Sequence, residues 1–351
     1  MNKLFKIIFL LGFFLAITSC NKKDDPEEIQ LRNYAEQYAK EKIILENYLK
    51  THKMSVPTAN MDVTFSVTTV PAESIWGANV THGSNVLERS VSSNGVDYII
   101  YYLQLRQGIG ESPCNVDGVF TAYKGMLIDD STTTEDEAKV FDSSANPQTF
   151  FNLESVIRGW SEIFPQFKKG TYVSNPDGTV SYNDYGAGVM FVPSGLAYYN
   201  FAQGSIGQYT PIMFTFKLYE INRQDRDFDG VPNYLEDKSG ATVGSAPDGY
   251  IYNLVPSVVN LDDTDKDGFA DYVDQDDDGD NILTRVETKR PNIIVNTISV
   301  TNGFYPYNGV LIDDPSTPNI DERQGIPSYV SPGVFDYTSA NRLRLHLDKN
   351  H

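Results

Sequence analysis

Apolar and polar positions change period along the 351-residue chain, and the changes mark its elements. Ile29 to Leu49 carries Tyr34, Tyr38, Ile43, Ile44, Tyr48 and Leu49 as a broken apolar stripe among charges. With a start signal at Asp25-Pro26-Glu27-Glu28, it predicts one amphipathic helix. From Met61 the period shortens to two. Asp62 to Val70, Val96 to Gln104, Val119 to Leu127, Val189 to Val192 and Ile212 to Ile221 read as strands, with breakers at Asp129-Asp130-Ser131. Within this stretch a helix is signalled only at Leu153 to Phe167, where Glu154 to Ile163 has helical spacing. The order implies an α+β fold, an antiparallel sheet curled over a short helix. Pro176-Asp177-Gly178, in extra sequence between Gly170 and Phe191, signals a hairpin or bulged loop that either walls a neighbouring site or decorates an edge. Ile293 to Val310 and Val334 to Leu347 also read as β, with Arg342-Leu343-Arg344-Leu345-His346-Leu347 alternating like a closing strand.

Charge changes the picture in one region. The chain carries 47 acidic and 28 basic residues, net −19, and lacks the basic footprint that nucleic-acid binding needs. Asn222 to Asp280 alone holds 16 Asp/Glu against 4 Lys/Arg, which is −12 of the total. Within it, Asp225, Asp227, Asp229, Asn233 and Glu236 stand at positions 1, 3, 5, 9 and 12 of a loop with Gly230 at position 6. That is the spacing by which alternating carboxylates collect oxygens around one calcium ion. Asp263, Asp265, Asp267, Asp271 and Asp274, with Gly268, repeat it in full. A looser third copy has Asp276, Asp278, Asp280 and Glu287, with Asn281 for glycine and Thr284 at position 9. No long helix flanks these loops, and they resemble thrombospondin type 3 repeats more than paired EF-hands. The resemblance implies structural calcium, whose binding couples to local folding.

The first twenty residues concern destination. Lys3 and Lys6 precede an apolar Ile7 to Ile17, shorter than the ~20 residues of a membrane span, and Thr18-Ser19-Cys20 follows. Ile17-Thr18-Ser19-Cys20 resembles the lipobox of bacterial lipoproteins, which implies cleavage before Cys20 and its acylation; the alternative is a plain signal peptide or weak anchor. Asn21-Lys22-Lys23-Asp24-Asp25 resembles the export tag of Bacteroidetes lipoproteins. The expected location is the outer membrane of a bacterial envelope, on either face. Cys114, the other cysteine, then has no partner in the chain, and with four histidines in all it reads as a small buried residue rather than a catalytic thiol.

The remaining chemistry lies in an apolar cup. Phe141-Asp142 is followed by Phe151 and Leu153, by Val156-Ile157-Arg158-Gly159-Trp160, and by Pro193, Leu196, Ala197 and Tyr198. One carboxylate among aromatics, with no Ser/His or Cys/His pair, suits a site that binds and reshapes a ligand without attacking it. With Tyr123-Lys124-Gly125, this order and spacing resembles the FKBP-type peptidyl-prolyl cis/trans isomerases over about a third of the chain, from Tyr98 to Ile221. The resemblance implies Trp160 as a floor and Tyr123, Phe141, Val156, Ile157 and Phe214 as walls. It also implies a hydroxyl from Tyr198 to the substrate carbonyl, a donor N–H at Ile157 and Asp142 at the mouth. A further aromatic wall falls near Thr149 or Phe150. The chain departs from the family at Tyr199, where glycine is usual, and at Gly207-Gln208, where two prolines are common, so the flap is altered.

The expected organisation is a lipoprotein signal at 1–19, tether and helix at 20–60, an FKBP-like domain at 61–221, calcium repeats at 222–290 and a β-containing segment at 291–351. The leader helix either dimerises or packs onto its own domain and spaces it from the membrane. The first reading of function is an exported isomerase acting on proline-containing polypeptides, without a catalytic cofactor. The second is a calcium-dependent binding or adhesion lipoprotein whose FKBP-like domain grips proline peptides without useful turnover. Oligomeric state is left open.

Overall fold

The computed structural model describes residues 31–77, 86–128, 140–238, 248–252, 260–295, 298–300, 303–318 and 320–351. The signal segment, Cys20, the export tag and the start of the leader helix lie outside the described residues. No helix among the described residues is long and apolar enough to cross a membrane.

Strands β3 (Val86–Ser93), β4 (Val96–Arg106), β5 (Gly118–Leu127), β6 (Val140–Ser144), β7 (Phe151–Asn152), β10 (Gly186–Val192) and β11 (Ile212–Asn222) form one antiparallel sheet. Its order is β3-β4-β10-β11-β5-β6, with β7 also on β5. Alternation along β4 and β10 sends Ile100, Tyr102, Met190 and Val192 to one face and Tyr101, Leu103, Val189 and Phe191 to the other, as a pleated strand requires. On the first face lie Trp160 and Ile163 of helix α2 (Arg158–Ile163), with Phe164 and Phe167. On the second lie Leu45, Tyr48 and Leu49 of helix α1 (Tyr34–Thr51). Because helices cover both faces, every residue of β10 is buried and the strand reads as a continuous apolar run.

Most of the apolar stripe of α1 is thus used within the chain, though Ile43 is exposed. Polar groups on the same packed face are anchored as well: Tyr38 Oη accepts the Ile99 N–H at 2.8 Å, and the buried Glu41 accepts the Ser194 N–H at 2.7 Å.

Three other expectations change. Leu153 to Phe167 is a 3₁₀ turn (Leu153–Ser155), then α2, then a second turn (Phe164–Gln166), rather than one helix. The β-branched pair Val156-Ile157 is extended between the first two, and Pro165, which has no N–H to donate, sits in the last. Only Phe65–Val67 (β2) of Asp62 to Val70 is a strand, paired with His52–Met54 (β1). Arg342 to Leu347 is no strand either. Arg342 Nε donates to the Ile326 carbonyl at 2.6 Å and Arg344 Nε to the Tyr307 carbonyl at 3.1 Å, so guanidinium clamps replace a backbone ladder, and Leu345–Leu347 is a 3₁₀ turn. The hairpin signal is realised by β8 (Thr171–Ser174) and β9 (Val180–Asn183), where Tyr182 stacks on Tyr219 with centroids 4.6 Å apart. Farther on, β12 (Ile293–Val295) pairs with β13 (Ile298–Val300), and β14 (Ser328–Ser331) with β15 (Val334–Asp336).

The Asp-rich region packs on the sheet domain, and Tyr34 to His351 clusters as one unit. Cys114 and Val116 share a small apolar cluster with Ile251, Ala270 and Tyr272. Burial pushes the Cys114 thiol well above its usual pKa, so it stays protonated and unreactive. Beside it, Asp117 is fully buried and accepts from Arg223 at 2.5 Å and from the Cys114 N–H at 2.7 Å.

Candidate functional site

The eight residues expected to form the cup meet around one cavity of about 550 Å³: Tyr123, Phe141, Asp142, Val156, Ile157, Trp160, Tyr198 and Phe214. Two glycines allow the approach. Gly125 faces Asp142 across β5 and β6, and a Cβ there would stand 2.5 Å from the Phe141 ring and 2.8 Å from that of Phe214. A Cβ on Gly159 would stand 2.5 Å from Val192, so its absence lets α2 settle on β10. Trp160, only 4% exposed, is then ringed edge-to-face by Tyr123, Phe214 and Phe151 at centroid distances of 5.1, 5.3 and 5.6 Å. These offset geometries suit the ring quadrupoles. Phe151 is the aromatic wall expected near Thr149 or Phe150; the Phe150 ring instead packs on Phe120 at 5.2 Å.

Polar groups sit at the rim. Tyr123 Oη donates to Asp142 Oδ2 at 2.6 Å, and burial, followed by this bond to a carboxylate, raises the phenol's pKa. Tyr198 is raised as well, by burial and then by the Asp142 charge, so both phenols remain protonated donors. The Trp160 Nε1–H is buried and has no partner among the described residues. Ser155, Arg158, Ala197 and Gln203 also line the cavity; sequence reasoning did not assign them.

The segment expected to form the flap holds Tyr199 and Ile206-Gly207-Gln208. Tyr199 has φ +49°, a left-handed value that favours glycine, and its ring stacks on Tyr34 of α1 at 4.1 Å. Ile206 is buried, and a tight turn closes through reciprocal Gln203 and Ile206 backbone bonds of 3.0 and 2.9 Å. The flap therefore rests on the leader helix.

Behind the cup, the Glu162 side chain is 1% exposed and accepts from Arg89 Nη2 at 3.0 Å, Arg158 Nε at 2.7 Å and Tyr252 Oη at 2.7 Å. Arg89 stacks on Tyr250 at 3.6 Å and Arg158 on Tyr252 at 4.3 Å. The Asp-rich region thereby grips the helix that carries Trp160. A neighbouring cavity of about 590 Å³ shares Val156 and Arg158 with the cup.

The three acidic loops share one backbone design. The position-1 carboxylate accepts the N–H at position 6: Gly230 to Asp225 at 3.2 Å, Gly268 to Asp263 at 3.1 Å, Asn281 to Asp276 at 3.0 Å. Position 6 has φ +94°, +107° and +75°, which explains both glycines and the tolerated asparagine. Position 9 closes each loop by accepting the N–H at position 2, through Asn233 at 2.9 Å, Asp271 at 2.8 Å and Thr284 at 3.1 Å. The third copy, looser in sequence, folds like the others.

Three clusters result, each with its ligand-type atoms within 4.8 Å: Asp227, Asp229, Glu236 and Asp277; Asp263, Asp265 and Asp267; and Asp278, Asp280, Glu287 and His351. Of the expected carboxylate ligands, Asp225, Asp271, Asp274 and Asp276 are outside them: Asp225 and Asp276 accept the position-6 N–H, Asp271 also pairs with Lys238, and Asp274 caps the Gln275 and Asp276 N–H groups at 2.6 and 3.1 Å, while Asn233 accepts the Arg226 N–H. Asp277 and His351 were not foreseen. Among the described residues, buried oxygens of Asp225, Asp227 and Asp229, and both of Glu236 and Asp277, have no hydrogen-bond partner. Burial and then neighbouring carboxylates raise Asp227 to about 7, Asp229 to about 8, Asp277 to about 10 and Glu287 to about 8, and push Glu236 well up. The groups that meet around Asp229 are all carboxylates.

Comparison with known proteins matches two kinds of relative. The family described as BamM C-terminal matches residues 224–319. The chain is also 31% identical over 136 residues to peptidyl-prolyl cis-trans isomerase Mip of Coxiella burnetii (strain RSA 493 / Nine Mile phase I), covering 38% of this chain and 47% of that protein. The chain thus spans about half the length of this curated relative, and the similarity supports an FKBP-type relationship. Among solved structures, a peptidyl-prolyl cis-trans isomerase of Pseudomonas syringae pv. tomato DC3000 aligns at 24% identity, over 44% of this chain and 99% of that one, with a TM-score of 0.29. FkpA of Escherichia coli aligns at 27% identity, over 38% of this chain and 51% of that one, with a TM-score of 0.27.

Proposed function

We propose that the chain is a peptidyl-prolyl cis/trans isomerase acting on proline-containing polypeptides, with calcium ordering its Asp-rich region. The observation that carries the reading is the convergence of eight motif residues on one aromatic-lined cavity with the buried Trp160 among them. Rotation about an X-Pro bond meets a barrier of ~18–20 kcal/mol set by amide resonance. A water-poor aromatic cup disfavours the polar planar imide and fits the twisted one better, so no nucleophile is needed. In this reading the proline ring sits on Trp160 between Tyr123, Phe151 and Phe214, while Tyr198 Oη and the Ile157 N–H meet substrate carbonyls. Asp142, held by Tyr123 at 2.6 Å, presents a fixed negative charge at the mouth.

Calcium would be held by the carboxylates of the three loops, where it would supply positive charge and bind the loops' ends together. The partnerless buried oxygens favour this reading, since a buried anion without a counter-charge is strongly disfavoured. Export and anchoring through Cys20 rest on the lipobox-like segment alone, and with them a role in folding exported proteins at the bacterial outer membrane.

A protease-coupled assay on a proline peptide tests the activity, with Trp160→Ala and Asp142→Ala as controls. A rate no better than background removes the isomerase reading and leaves a calcium-dependent binding lipoprotein, which the Tyr199 flap favours. Calorimetric titration of the metal-free chain should find at least two calcium sites, and acyl-chain labelling that disappears in Cys20→Ser tests the anchor.

A further inference from the structure

We propose that the third loop donates Asp277 as a ligand to the cation of the first loop, so that one ion is shared between two repeats. This rests on the calcium reading and adds to it a residue that the loop spacing does not assign.

Asp277 occupies position 2 of its loop, where the other loops have Arg226 and Thr264. Those two side chains serve local contacts: Arg226 pairs with Glu154 at 2.8 Å and Thr264 Oγ1 donates to Asp271 at 2.8 Å. The Asp277 N–H is likewise spent inside its own loop, on Thr284 Oγ1 at 3.1 Å. Its carboxylate leaves that loop and joins Asp227, Asp229 and Glu236. Asp277 is 1% exposed and Glu236 2%, and neither has a hydrogen bond to either carboxylate oxygen among the described residues. A surface acidic patch would hydrate these atoms; here they are enclosed and face one another.

Two contacts place the loops side by side independently of the carboxylates. Thr288, just past α3 (Thr284–Glu287), donates its hydroxyl to the Asp229 carbonyl at 2.5 Å. A Cβ on Gly279 would stand 2.6 Å from Asp265 Oδ2 of the second loop, so the third loop touches both neighbours. The ligand class is a hard divalent cation, because the donors are carboxylate oxygens, and calcium is the probe that the loop spacing suggests.

Calcium titration of the full chain by calorimetry tests this, using wild type, Asp277→Asn, Glu236→Gln and the double variant. Asp277→Asn and Glu236→Gln should each weaken the same single site by tenfold or more, and the double variant should lose little beyond either alone. In chelator Asp277→Asn should melt above wild type, and in calcium below it, a reversal that a merely misfolded variant would not give. If Asp277→Asn titrates like wild type while Glu236→Gln loses a site, the shared ligand is overturned and the calcium reading stands. Loss of only the site held by Asp278, Asp280 and Glu287, with the Glu236 site intact, also overturns it. Wild-type chain that releases no heat with calcium overturns the calcium reading itself.

Discussion

The cup and the acidic loops bury polar groups in opposite ways. Around the cup, buried charges have partners: Glu162 is met by two guanidiniums and a phenol, and Glu41 by Ser194. Apolar clusters on both faces of the sheet supply the cohesion. In the loops the apolar clusters are small, and Glu236 and Asp277 face other carboxylates. Packing of its own side chains accounts for the first region; the second gathers carboxylates that lack hydrogen-bond partners among the described residues, which is what the proposed calcium would answer.

Chelation should expose that contrast most strongly. If the loops hold calcium as proposed, removing it should lose amide protection and protease resistance across residues 225–236, 263–274 and 276–287 while β4, β10 and β11 stay protected, as hydrogen exchange by mass spectrometry can measure; uniform protection would erase the distinction. The pH trend in chelator sharpens it. Asp227 and Asp229 are raised to about 7 and about 8 in the folded chain, above the ~4 of an unfolded Asp. A raised carboxyl favours the fold below the unfolded pKa, and that contribution is lost as pH rises through 7 to 8. The ion-free loops should melt higher at pH 5 than at pH 8, and saturating calcium should remove the trend.

Trp160→Ala comes next. Deleting a buried aromatic of this size costs about 3–5 kcal/mol, and the proposed turnover should fall to background, whereas exposed Asp142→Ala should lower turnover with little change in the melting curve. Glu162→Gln should follow. It leaves Arg89 and Arg158 without their shared counter-charge, costs about 2 kcal/mol, and should raise exchange at Tyr250 to Tyr252 more than at β10. The smallest effect is expected of Tyr199→Gly. Relief of its φ of +49° opposes loss of the Tyr34 stack, so stability should move by less than about 1 kcal/mol. Faster exchange at Gln203 to Ile206 would show the flap released.

The strands and cup walls were legible because alternation and motif spacing are local properties. Val96 to Gln104 and Ile212 to Ile221 each sit within one residue or two of the observed strand. Strand β3 was missed because Leu87-Glu88-Arg89-Ser90 hides its pairing with β4 behind polar positions. Arg342 to Leu347 misled for the converse reason: alternation there serves two arginine clamps. The loops showed their metal-type register but not its crossing, since nothing in a run of three aspartates tells which one turns toward a different loop. Nor could spacing show that position 9 is a backbone clasp. Both facts are tertiary.

The strand order also has a consequence for synthesis. β4 and β5 are neighbours in the chain, but β10 and β11 lie between them in the sheet. A chain made from its N-terminus therefore holds the two outer pieces apart until Asn222 has emerged, when the central strands can wedge in and bring Phe214 over Trp160. Such non-local pairing is slow and leaves strand edges open meanwhile. The cup, proposed to hasten a slow step in other chains, is itself assembled late in the making of its own.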